Sequence, residues 1–143
     1  MNLHYNVPIT FGPNGKARDL NATGIDFTDA GDQSWTSAPV AELDILLPPA
    51  RQDVAVQLAA TPFLMPGVLA AQPVFIYMGG LFIGYWVLKS FEVRTFPINR
   101  NILSGRLNRL SLVMPNATSP SVSAVSEDIR ELGIYLESIV FNT

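Results

Sequence analysis

Val74-Phe-Ile-Tyr-Met-Gly-Gly-Leu-Phe-Ile-Gly-Tyr-Trp-Val-Leu88 is the stretch on which the fold turns. Residues 54–88 carry no formal charge, a length that could span a bilayer as a helix. Pro66, Gly67, Gln72, Pro73, Gly79, Gly80 and Gly84 interrupt that window, and the paired glycines sit near the middle of a run of aromatic and β-branched residues. Glycine supplies the positive φ of a tight turn, so the pattern predicts a β-hairpin rather than a membrane span.

Outward from the hairpin the chain reads as a series of short strands. Val40–Leu47 places Ala41, Leu43, Ile45 and Leu47 against Glu42 and Asp44, a period of two that predicts one buried and one polar face. Val54–Ala60 repeats the alternation, Phe91–Ile98 and Arg106–Met114 follow the hairpin, and Gly133–Phe141 is the last strand. Val7–Phe11 opens the series and ends in a Gly12-Pro-Asn-Gly15 turn. Ala17–Ser37 reads as a polar connection holding Asp19, Asp26, Asp29, Asp32 and Trp35. The one local helix expected is Ser126–Leu132, opened by Ser126 as its N-cap. Seven to nine strands at roughly 8–15-residue spacing predict an all-β, two-sheet antiparallel sandwich forming one domain over residues 1–143.

The chain has 143 residues, 48% of them hydrophobic and 15% charged, with 10 glycines and 11 prolines, enough for a substantial core built from short elements. It contains no cysteine and one histidine, which excludes thiol nucleophiles, disulfides and the usual Cys/His metal sites. Nine basic against twelve acidic side chains leave a charge of −3, a balance unsuited to a nucleic-acid partner despite Arg94, Arg100, Arg106 and Arg109. Those arginines are expected on solvent faces or paired with the acidic loop. The first residues lack the basic and apolar regions of a secretory signal, so a cytoplasmic rather than exported protein is expected, and Asn21-Ala-Thr23 and Asn116-Ala-Thr118 match the glycosylation acceptor by accident.

Several ordered segments carry a resemblance: Gly24–Phe27, Asp32–Ser37, Ala41–Leu47, Gln72–Tyr77, Gly79–Trp86, Leu110–Met114, and Ser119-Pro120 followed by Asp128-Ile-Arg130-Glu-Leu-Gly133. Together they resemble a non-catalytic jelly-roll module of the galactose-binding-like kind found in bacterial polysaccharide-synthesis and glycosyltransferase proteins. The C-terminal motif is the most specific piece. Where the family usually carries Asn-Gly in the hairpin, this chain has Gly79-Gly80. The resemblance implies a jelly-roll sandwich and a non-enzymatic, sugar-related accessory role, with a carbohydrate or a polysaccharide-synthesis protein as partner.

Two roles are open to Asp128 and Arg130. Asp128 could cap backbone amides while Arg130 pairs with an acid and fastens the last strand. Alternatively, Asp128 and Arg130 could line a sugar site with Trp35, whose indole face would stack on a pyranose ring. Asp26, Asp29 and Asp32 could hold a structural calcium ion, although their spacing is not that of an EF-hand and a solvated acidic loop is the simpler reading; no other cofactor is expected. Phe75, Tyr77, Phe82, Tyr85, Trp86 and Phe91 read most simply as core. An outward row among them would instead form a patch for a partner or for homo-oligomerisation. No nucleophile elbow or phosphate-binding loop is present, and His4 lies near a terminus expected to fray, so no enzyme is expected. Two competing classes of function are a structural or protein-interaction module that self-associates through the apolar hairpin and a small glycoside enzyme driven by two carboxylates.

Overall fold

The computed structural model describes residues 3–103, 105–123 and 126–143. Among the described residues ten strands follow one another: β1 Ile9–Thr10, β2 Ile25–Asp26, β3 Ser34–Thr36, β4 Val40–Leu46, β5 Val54–Pro62, β6 Gln72–Met78, β7 Leu81–Leu88, β8 Glu92–Ile98, β9 Leu107–Val113 and β10 Ile134–Asn142. They form two antiparallel sheets. One has the order β2-β3-β10-β5-β8, with β1 also paired to β10; the other has the order β4-β9-β6-β7. The expected two-sheet sandwich of jelly-roll type is therefore the fold. Residues 66–88 form strands and turns within it, and among the described residues no helix is long and apolar enough to cross a membrane.

The hairpin forms where the glycines predict it. Met78 pairs with Leu81, leaving Gly79 and Gly80 as the two turn residues, with φ of 59° and 82°. Positive φ at both positions matches the right-handed twist of the flanking strands. In β4 the alternation is realised in full: Ala41, Leu43 and Ile45 are buried, while Glu42 and Asp44 lie half-buried on the outer face.

The inner faces of both sheets supply one core. Leu43, Ile45, Leu110, Leu112, Ile76, Met78 and Trp86 of the four-stranded sheet meet Val56, Leu58, Phe96, Ile134, Leu136, Ile139 and Phe141 of the other. Each such side chain taken from water contributes roughly 1.5–3 kcal/mol before ordering entropy is charged against it.

Four expectations need correction. Of the six aromatics read as core, Trp86 alone is buried; Phe75 and Tyr77 are half-buried and Phe82, Tyr85 and Phe91 exposed. The period of two in β6 sends Val74, Ile76 and Met78 inward and so turns Phe75 and Tyr77 out. Residues 126–132 form no helix. The Ser126 hydroxyl accepts from the Asp128 amide (3.1 Å) and the Asp128 carboxylate from the Arg130 amide (3.0 Å), so side chains satisfy the amides a helix would have used. Leu132 then bridges Thr118 by reciprocal backbone bonds of 3.1 and 2.9 Å. Ala17–Ser37 is not a plain connection, since it contains β2, β3 and a 3-10 turn at Lys16–Asp19. The N-terminal segment is anchored rather than frayed: Leu3 is buried, the Tyr5 hydroxyl donates to the Pro48 carbonyl (2.6 Å), and the Asn6 amide donates to the Phe141 carbonyl (2.7 Å).

Candidate functional site

β3 is only three residues long, and its alternation sets the site. Ser34 and Thr36 point into the core and are fully buried, which turns Trp35 onto the outer face. Asp26, Trp35, Tyr135 and Thr61 are successive register partners across β2, β3, β10 and β5, so their side chains form one row on that face. The Trp35 ring lies 4.7 Å from that of Tyr135 at an interplanar angle of 32°, and 6.0 Å from Phe63 in an edge-on arrangement. Trp35 is thus held by rings on two sides while remaining half-buried.

The Asp26 end of the row meets Arg130. Its guanidinium donates from Nη1 to Asp26 (3.0 Å) and Asp29 (2.9 Å), from Nη2 to Asp128 (2.6 Å), and from Nε to both Asp128 oxygens (3.0 and 3.2 Å). Three carboxylates therefore surround one guanidinium, and the cluster keeps a negative balance with oxygen lone pairs left to accept. The hydroxyl and amide of Thr28, with Arg130 behind them, hold the Asp26 carboxyl below the usual carboxylate range. The Arg130 side chain and amide do the same to Asp128, and Asp128 and Asp29 together raise Arg130 above its ordinary value.

Trp35, Asp128 and Arg130 are accordingly brought to one corner of the six-stranded sheet, joined through Asp26. Asp26 and Asp29 converge on Arg130, which occupies the point where a cation would bridge them; Asp32 stands apart and exposed. Among the described residues no group of three or more His, Cys, Asp or Glu is placed to hold a metal ion. Sequence reasoning missed Tyr135 and Phe63 as the supports of Trp35. Their alignment depends on β3 lying beside β10, for which a three-residue strand offers no periodic signal.

The basic residues are also resolved. Arg109 forms its ion pairs with Glu42 (3.4 Å) and Asp44 of β4 and meets the Ala17–Ser37 segment only at neutral acceptors, the Thr23 hydroxyl (3.1 Å) and the Asn21 carbonyl (3.4 Å), while the Ser111 hydroxyl donates to Glu42 (2.8 Å). Asn21 and Arg109 hold the Asp44 carboxyl below its usual range. Arg94 lies over the Phe96 ring at 5.6 Å. On the outer face of the four-stranded sheet, Phe75 stands 4.7 Å from Tyr85 and 6.5 Å from Phe82, and Tyr77 5.6 Å from Phe82. A hollow of about 610 Å³ opens at the hairpin end, lined by Leu81, Asn99, Asn101, Ile102, Arg106 and Asn108 among others.

No protein-family model matches the chain, and no curated protein sequence does. Solved structures do. The CBM36-1 domain of a multidomain xylanase from the hindgut metagenome of Trinervitermes trinervoides superposes with a TM-score of 0.58 at 10% identity, covering 96% of each chain. CsCBM6-3 from Clostridium stercorarium, solved in complex with cellobiose, gives 0.57 at 10% identity over 100% of this chain and 98% of that one. A β-1,3-glucan binding CBM6 from Bacillus halodurans gives 0.56 at 12% identity over the whole of both. The architecture is therefore that of a jelly-roll β-sandwich, shared with carbohydrate-binding modules.

Proposed function

We propose that this chain is a non-enzymatic carbohydrate-binding module that takes its sugar at the Trp35 corner of the six-stranded sheet and serves bacterial cell-surface polysaccharide metabolism. The observation that carries the reading is the placement of a half-buried indole, braced by Tyr135 and Phe63, in the same row as Asp26, one of the three carboxylates gathered by Arg130. An indole face packs against the C–H groups of a pyranose, and fixed carboxylate oxygens accept from its hydroxyls. The likeness to modules described as binding β-1,3-glucan or solved with cellobiose supports the same class of ligand.

At the Trp35 corner the electrostatics suit binding. A glycosidase acid needs a carboxyl raised toward neutrality. Asp26 and Asp128 are instead lowered, by the Thr28 donors and by Arg130, which keeps them as acceptors for hydroxyls.

Isothermal titration with cello-oligosaccharides and β-1,3-gluco-oligosaccharides tests the proposal. Saturable heat is expected with at least one, weakened at least about tenfold in Trp35→Ala, since one stacked ring supplies on the order of 1.4 kcal/mol or more. Absence of heat with either series overturns it for these ligands. Undiminished heat in Trp35→Ala moves the site elsewhere, with the hollow beside Asn108 first in line.

A further inference from the structure

We propose that two copies of this chain pair edge to edge through β7, antiparallel and about a two-fold axis, joining their four-stranded sheets into one continuous sheet. The open edges of the two sheets are protected unequally. The outer edge of β4 is closed by its own chain, since Thr23 and Glu42 exchange backbone bonds of 2.9 and 2.8 Å and the Asp44 amide donates to the Leu20 carbonyl at 2.8 Å. The outer edge of β8 carries Glu92, Arg94 and Pro97, the charges and proline that prevent strand addition. β2 is only two residues long. β7 is eight residues long, ends its sheet, and has neither a charge nor a proline.

β7 also leaves apolar outward side chains in water: Phe82 is 56% exposed, Tyr85 47% and Val87 37%. A bulge between the pairs Ile76–Gly84 and Tyr77–Phe82 leaves Ile83 without a partner, so the regular part of the edge is Gly84–Leu88. β8 comes near β7 where Phe96 packs over Gly84, but no ladder joins the two strands. Backbone groups on that side of β7 therefore remain for another strand.

A second copy fits this edge better than an unrelated chain on grounds of charge and shape. Two-fold pairing sets like segments against each other, which costs nothing electrostatically where residues 54–88 carry no charge. Antiparallel addition would also bring Phe82 and Tyr85 of both copies onto one face, continuous with Phe75 and Tyr77. The exposed parts of Phe82 and Tyr85, roughly 75–125 Å² each, together with Val87, contribute a part of the ~800 Å² per partner of a stable interface. Because Trp35 belongs to the other sheet, this pairing is independent of the sugar-binding reading.

Sedimentation equilibrium on the intact chain, with hydrogen exchange at low and high concentration, tests the pairing. A concentration-dependent dimer is expected, with slowed exchange at Gly84–Leu88 and unchanged exchange in β8. Tyr85→Lys and, separately, Val87→Lys should each raise the dissociation constant at least about tenfold, whereas Thr95→Lys on β8 should leave it unchanged. Far-ultraviolet circular dichroism identifies any variant that fails to fold, and the exchange pattern of the unaltered chain decides the matter if both lysine variants do. A monomer at all concentrations, a dimer indifferent to a folded lysine variant, or protection appearing outside β7 overturns the proposal.

Discussion

Gly84 and Phe96 share one space: the ring of Phe96, from the edge strand of one sheet, lies where the side chain of Gly84, on the edge strand of the other, would begin. Gly84 pairs with Ile76 and faces inward with it, and Phe96, 5% exposed, packs edge-on against Trp86 at 6.1 Å. The missing Cβ is what lets the two edges close over the core on this side. Gly84→Ala should therefore destabilise by about 1–3 kcal/mol through overpacking, read from the urea midpoint. Combining it with Phe96→Leu should recover part of the loss, because the two changes act on the same volume. Simple additivity would refute this account.

Thr36 ties the start of β10 to the core. Its buried hydroxyl oxygen accepts from the amides of Gly133 (3.2 Å) and Ile134 (3.0 Å), and the hydroxyl reaches Met114 Sδ at 3.4 Å. Thr36→Val keeps the shape but leaves two buried donors unpaired, at a cost of about 2 kcal/mol or more. Thr36→Ser should cost less. Equilibrium denaturation measures both, and amide exchange at Ile134 should accelerate in the valine variant only.

Acid should act through the Arg130 cluster. A carboxyl whose folded pKa is lowered binds its proton less readily in the native state than in the unfolded one. It contributes stability that is full above the ordinary range near pH 4 and is lost as pH falls through the folded value. Asp26 and Asp128 both have that sign. Melting temperature should therefore fall below about pH 4. Arg130→Met should lower stability at neutral pH by about 1–2 kcal/mol, a figure reduced for the cluster's partial exposure. The variant should also lose less on acidification. Parallel pH profiles for the two proteins would contradict the assignment.

Calcium should have little to act on at Asp26 and Asp29, because the Arg130 guanidinium already lies against both carboxylates. Millimolar calcium, or its removal by a chelator, should leave the melting temperature unchanged, since a ligand stabilises only by binding the folded state. A clear upward shift on adding calcium would show that an ion displaces or avoids Arg130.

Much of the fold was legible along the chain because a strand half-buried in a sheet writes a period of two into its own residues. Ala41, Leu43 and Ile45 against Glu42 and Asp44 announced β4, and Gly79-Gly80 announced the hairpin that follows from positive φ. The reading failed where a neighbour outside the segment decided. Ser126–Leu132 carries helix-starting residues, yet Asp128 turns to Arg130 and Leu132 to Thr118, because partners were available there. β2 and β3 are too short to show a period at all.

Local chemistry in the sequence determined which segments would be strands, which faces would be apolar and where the chain would reverse, since each depends on residues within a few positions of one another. Tertiary structure alone decided that Arg130 would gather Asp26 and Asp29 from 104 and 101 residues away, that Trp35 would lean on Tyr135, and that β7 would lie at an open edge. Those outcomes depend on the order in which strands pair, and the same alternating side chains are compatible with many orders until the two sheets close on a single core.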